Sequence, residues 1–192
     1  MHRKSLLAAA SLAVLLAGPA YAQDTNTNAN TATPTEPQTS DQNDLPAGFE
    51  AATASTPQEF ATMAAMTDLL EIESSRIALE KSQSEEVRQF AQHMIDDHTA
   101  TSQALTQAAQ ADGVTNVPQA LTGQHQQMVT QLQGLPAEQF DAAYIQMQVG
   151  AHQQAVALFQ SYSQQEGALG DFAETTLPKL QEHLTHAQQL SQ

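Results

Sequence analysis

Residues 69–105 read "LLEIESSRIALEKSQSEEVRQFAQHMIDDHTATSQAL". Two apolar stripes of helical period flank one polar break, and that pattern decides the fold. Before the break, Phe60, Met63, Leu70 and Ile77 fall on the three-and-four register of one helix face. After it, Val87, Phe90, Ala91, Met94, Leu105 and Ala109 do the same. Within the break, Ser84 followed by Glu85 and Glu86 supplies an N-cap with acids in the first turn. Helix one therefore starts at the cap Thr56, with Pro57 in its first turn where a missing N–H costs nothing. Helix two stops at Gly113. The short break makes the two helices antiparallel neighbours.

The rest of the chain repeats this unit. A short helix is expected in "PQALTGQHQQMVTQLQ" (118–133), ended by Gly134. Helix three starts near Pro136, turns Phe140, Tyr144, Met147, Leu158 and Tyr162 inward, and ends at Gly167. Helix four runs from about Leu169 to Leu190, with Pro178 kinking it or freeing a carbonyl. The composition is rich in Ala, Leu, Met, Gln and Glu, with few β-branched runs. The expected architecture over 56–192 is all-α: a four-helix bundle with one longer crossover that carries a short extra helix.

Upstream the character changes. The opening "MHRKSLLAAASLAVLLAGPAYA" has a basic start, an apolar run and the small-residue pattern Ala20-Tyr21-Ala22. It reads as a secretory signal peptide over 1–22, too short to span a bilayer. Residues 23–55 are rich in Thr, Asn, Ala, Pro and Gln and read as a disordered tether. The expected location is the periplasm or the medium. The chain has no cysteine, which excludes disulfides, thiolate ligands and a lipidated cysteine. Without the signal, four basic residues face 21 acidic ones, a formal charge of −17. Such a surface repels nucleic acid and anionic lipid. No membrane span is expected after cleavage. The candidate partners are a second copy, through Met- and Phe-bearing surfaces, or an envelope protein.

Position 98 raises the functional question. On helix two, His98 continues the core stripe Val87, Ala91, Met94, Ser102 and Leu105. On helix three, His152 lies in the stripe Ile145, Gln148, Val156 and Phe159 at the core's edge. On helix four, His183 lies among Leu169, Ala173, Thr176, Leu180, Ala187 and Leu190. On helix one, the stripe Phe60, Ala64, Thr67, Ser74 and Ala78 sets Glu71 on the core's flank. Glu71 and His98 each stand about 13 residues from the first turn, or ~20 Å of helix. His152 and His183 stand about 15 residues from the turn at Gly167, or ~22 Å. One ionisable residue from each helix is thus expected in a single layer. Neutral imidazoles plus a carboxylate suit one divalent transition-metal ion, iron, manganese, zinc or copper. Asp97 and Glu182, beside His98 and His183, are candidate acceptors behind the ligands, and His186 a candidate further nitrogen. Glu73 sits off the core face, His93 and His125 read as exposed, and the methionines read as gap fillers. The alternative to a ligand set is a hydrogen-bonded polar layer that fixes register.

These residues resemble a known family. The 69–105 stretch, "FDAAYIQMQVGAHQQAVALFQ" (140–160) and "FAETTLPKLQEHLTHAQQL" (172–190) are similar to the bacterial exported domain-of-unknown-function family 4142. The resemblance covers about residues 57–190. It matches the family pattern at Glu71, Glu73, Asp97, His98, His152, Pro178, Glu182 and His183. The family often has an acid directly before the third-helix histidine, where this chain has Ala151. The resemblance implies a ferritin-like bundle and export, and members often carry an outer-membrane label. It implies no reaction. Ile95, Val149 and Leu180 stand three residues before the inward histidines, so the Glu-x-x-His pairs of di-iron oxidases are absent. No serine or cysteine nucleophile motif and no phosphate loop occurs. The expected function is therefore a non-enzymatic binding or stress-related envelope role, with a metal storage or redox protein as the alternative.

Overall fold

The computed structural model describes residues 53–192. The expected signal segment, and all but the last three residues of the expected tether, lie outside the described residues. Five helices follow in order: α1 (Pro57–Lys81), α2 (Glu85–Ala111), α3 (Gly123–Gly134), α4 (Ala137–Tyr162) and α5 (Ala168–Leu190). No strand occurs among the described residues. None of their helices is long and apolar enough to cross a membrane.

The helix starts follow from local chemistry. Thr56 accepts from the Glu59 amide at 3.2 Å, while the Glu59 carboxylate accepts from the Thr56 amide at 3.2 Å. That reciprocal pair satisfies two donors otherwise orphaned at the start of α1. Ser84 caps α2 through the Val87 amide at 3.3 Å. α3 begins later than position 118. Residues 118–122 are not helical, and Gly123 opens the helix with a φ of 55° that favours glycine. Pro178 lies inside α5 without ending it.

The long helices pack in a closed circuit. α1 lies against α2 and α4, and α5 against α4 and α2, while α3 rests on α1 and α4. Lys81, in the last turn of α1, donates to the Gln133 and Leu135 carbonyls at 2.6 Å each and so ties down the end of α3. At the opposite end, Asp112 closes α2 and accepts from the Ala168 and Leu169 amides at 2.9 and 2.8 Å. One carboxylate thus caps the N-terminus of α5, where helix amides favour negative charge.

The core is two apolar clusters. One gathers Leu70, Phe90, Met94, Phe140, Tyr144 and Met147. The other gathers Phe60, Leu105, Leu158, Phe159, Leu169 and Phe172. Phe60 anchors the second, edge-on to Phe159 at 5.1 Å and stacked on Tyr162. On each long helix an ionisable residue stands where the chain passes between clusters. Asp68 lies between Ala65 and Leu70, His98 between Met94 and Leu105, His152 between Ala151 and Ala155, and His183 between Leu180 and Ala187.

Two tests address the α4–α5 corner. A Cβ on Gly170 would lie 2.0 Å from the Gln165 carbonyl oxygen. Gly170→Ala should therefore cost about 3 kcal/mol or more, read as a fall in the urea midpoint. Asp112→Ala should cost about 1–2 kcal/mol by the same readout, the scale of a lost helix cap. An unchanged midpoint in either variant would contradict the packing described.

Candidate metal centre

Three imidazoles meet in the layer between the apolar clusters. The ring centroids of His98, His152 and His183 lie 5.5, 5.4 and 5.3 Å apart in the three pairs. All three residues are buried. Each offers one ligand nitrogen, and these nitrogens lie within 4.8 Å of one another.

Each ring is held by one nitrogen only. His98 Nδ1 lies 2.9 Å from Asp68 Oδ1. His152 Nδ1 lies 2.9 Å from the Gln148 carbonyl oxygen one helical turn earlier. His183 Nε2 lies 2.9 Å from Asp97 Oδ2. A carbonyl accepts and a carboxylate accepts, so the held nitrogen carries the proton in each case. The remaining nitrogens, His98 Nε2, His152 Nε2 and His183 Nδ1, are buried and have no hydrogen-bond partner. A ring so fixed presents a lone pair on its other nitrogen when neutral, which is how carboxylates and carbonyls prepare histidine for a metal.

The electrostatics separate the three rings. Burial, reinforced by the neighbouring His98 and His183, holds His152 well below the ordinary histidine range. Burial also lowers His183, to about 4, against the opposing pull of Asp97. Both rings are therefore neutral at neutral pH. Burial opposes a charge on His98 as well, but the Asp68 carboxylate, with Glu71 and Asp97 adding to it, raises that pKa and favours the charged ring.

Glu71 belongs to the same layer and is more deeply placed than a flanking position implies. It is fully buried. Its Oε1 stands 3.7 Å from His152 Nδ1, and neither carboxylate oxygen has a hydrogen-bond partner. Burial lifts its pKa to about 7. The carboxylate lies beside the three-nitrogen group, which does not include it.

The other sequence candidates divide. Asp97 is half-buried and holds His183. Glu182 is exposed and makes no hydrogen bond to the layer, because its helix position faces solvent. His186 is exposed and sets its ring edge-on against Phe90 at 5.0 Å, outside the nitrogen group. Glu73 pairs with Arg76 at the surface. His125 is half-buried rather than exposed, and burial lowers its pKa. Asp68 is the residue that sequence reasoning missed. It is buried, anchors His98 and accepts from Ser102 Oγ at 3.1 Å. Its signal was the run Ala61, Ala64, Asp68, Glu71 and Ser75, a continuous inward register on α1.

Comparison with known proteins gives a family and a fold. In three dimensions the chain is similar to a crystallographic DUF305 fragment from Deinococcus radiodurans, with a TM-score of 0.62 at 16% identity. The match covers 72% of this chain and 97% of that one. At that identity the likeness shows a shared helical fold. No curated protein is found to match. The model of the family described as domain of unknown function (DUF4142) matches residues 42–190, so the chain belongs to that family.

Proposed function

We propose that this protein is an exported metal-binding protein, a ferritin-like bundle of four long helices that holds one divalent transition-metal ion. The ligands are His98 Nε2, His152 Nε2 and His183 Nδ1, with the Glu71 carboxylate balancing charge beside them. One observation carries the reading: three buried histidines from three helices converge, and each has one buried nitrogen without a partner while its opposite nitrogen is held. An orphaned buried polar group costs about 1–3 kcal/mol. Three of them plus a buried carboxylate amount to a large share of the roughly 5–15 kcal/mol that stabilises a domain. A cation answers all four groups at once. Neutral imidazoles select zinc, copper, iron or nickel over magnesium or calcium. A formal charge of −15 draws cations toward the surface. Export rests on the opening basic-then-apolar segment.

The reading has direct tests. Full-length chain stripped with chelator should bind one equivalent of zinc and melt higher in its presence, by about 2.7 kcal/mol of added stability at a hundredfold excess over Kd. His98→Ala should abolish that shift. Zinc that leaves melting unchanged, with His98→Ala merely less stable, would instead mark a structural polar layer. Asp68→Asn keeps the shape but weakens the anchor of His98, and should lower zinc affinity about 10–100-fold. Unchanged affinity would remove His98 from the ligand set.

A further inference from the structure

A second group of potential ligands stands against the outside of the same layer. Asp97 Oδ2 collects three nitrogens: His183 Nε2 at 2.9 Å, His93 Nε2 at 3.0 Å and Lys179 Nζ at 3.1 Å. His93, Asp97 and His183 each offer a ligand atom within 4.8 Å of the other two. The His93 and His183 rings lie 5.7 Å apart. Exposure falls steadily along the set, with side chains 56% exposed at His93, 21% at Asp97 and 6% at His183. His183 therefore belongs to both groups. Its Nε2 faces the surface set, and its Nδ1 is the partnerless nitrogen of the buried one. His98, His152 and Glu71 are closed off more completely than His183.

We propose that His93, Asp97 and the outer nitrogen of His183, its proton released to solvent as the ion arrives, form a loading site, where a divalent transition-metal ion from solution binds before passing the turning His183 ring to the buried imidazoles. This rests on the metal centre proposed above. Two nitrogens and one carboxylate oxygen suit the same class of ion as the inner set. Lys179 acts as the site's competitor. Its ammonium holds Asp97 from a side chain that is 46% exposed, and an arriving ion takes its place. The arrangement also explains why an exposed histidine sits four residues before Asp97 on one helix, where side chains meet.

The test is the rate of loading of the chelator-stripped full chain with cobalt(II), followed by stopped-flow absorbance. His93→Gln should slow both uptake and chelator-driven release by at least about tenfold, the scale on which a charged approach site raises local ion concentration. Lys179→Met should speed both. A route shared by both directions changes both rates together, whereas a residue that only steadies the bound state changes release alone. His93→Gln loading at the wild-type rate, with one cobalt still bound, overturns the loading site and leaves the inner centre standing. Slower release with unchanged uptake also overturns it. A wild-type chain that binds no cobalt overturns both.

Discussion

A histidine ring taken out of water must have both nitrogens answered, and this domain answers one nitrogen on each of three rings. Asp68, the Gln148 carbonyl and Asp97 fix His98, His152 and His183 from outside. The remaining nitrogens are buried without partners, and the three rings meet between two apolar clusters that together supply the core. Hydrophobic side chains in that layer would be the simpler solution for stability alone, since buried polar groups are often neutral or worse. The chain interrupts its core at the same height on all four long helices. The proposed metal ion would answer that interruption.

The framework holds that convergence in place. Helices move as rigid rods, so the rings meet only if the ends are fixed. Thr56 and Ser84 fix the start of α1 and α2. Lys81 ties α1 to the end of α3, and Asp112 ties α2 to the start of α5. The corner between α4 and α5 is tight enough to require glycine. Gly167 sits at φ 110° with Asp112 against it, and Gly170 approaches the Gln165 carbonyl. Packing at the two ends thereby sets the geometry at mid-height, where the three histidines meet.

Much of this was legible in the sequence, for physical reasons. Helical periodicity and caps located the long helices, and equal spacing from the turns placed Glu71, His98, His152 and His183 in one layer. Asp68 escaped because the apolar stripe on α1 is wide, and a register through Thr67 fits it nearly as well. Aspartate is also seldom buried without a partner on another helix, which spacing alone does not display. His93 was read correctly as exposed, yet its ring leans on Asp97. Exposure concealed its part in the cluster. The short helix lies within the expected stretch and ends at Gly134, but Pro118 and Gly123 both punctuate the chain, and only the backbone at Gly123 tells which opens it.

The most direct measurement is long-range proton–nitrogen NMR of the histidine rings in the stripped chain, before and after one equivalent of zinc. The account predicts that Nε2 of His98, Nε2 of His152 and Nδ1 of His183 move together to metal-bound shifts, while their opposite nitrogens stay protonated. Rings whose inner nitrogens are untouched by zinc, or whose outer nitrogens respond instead, would contradict it.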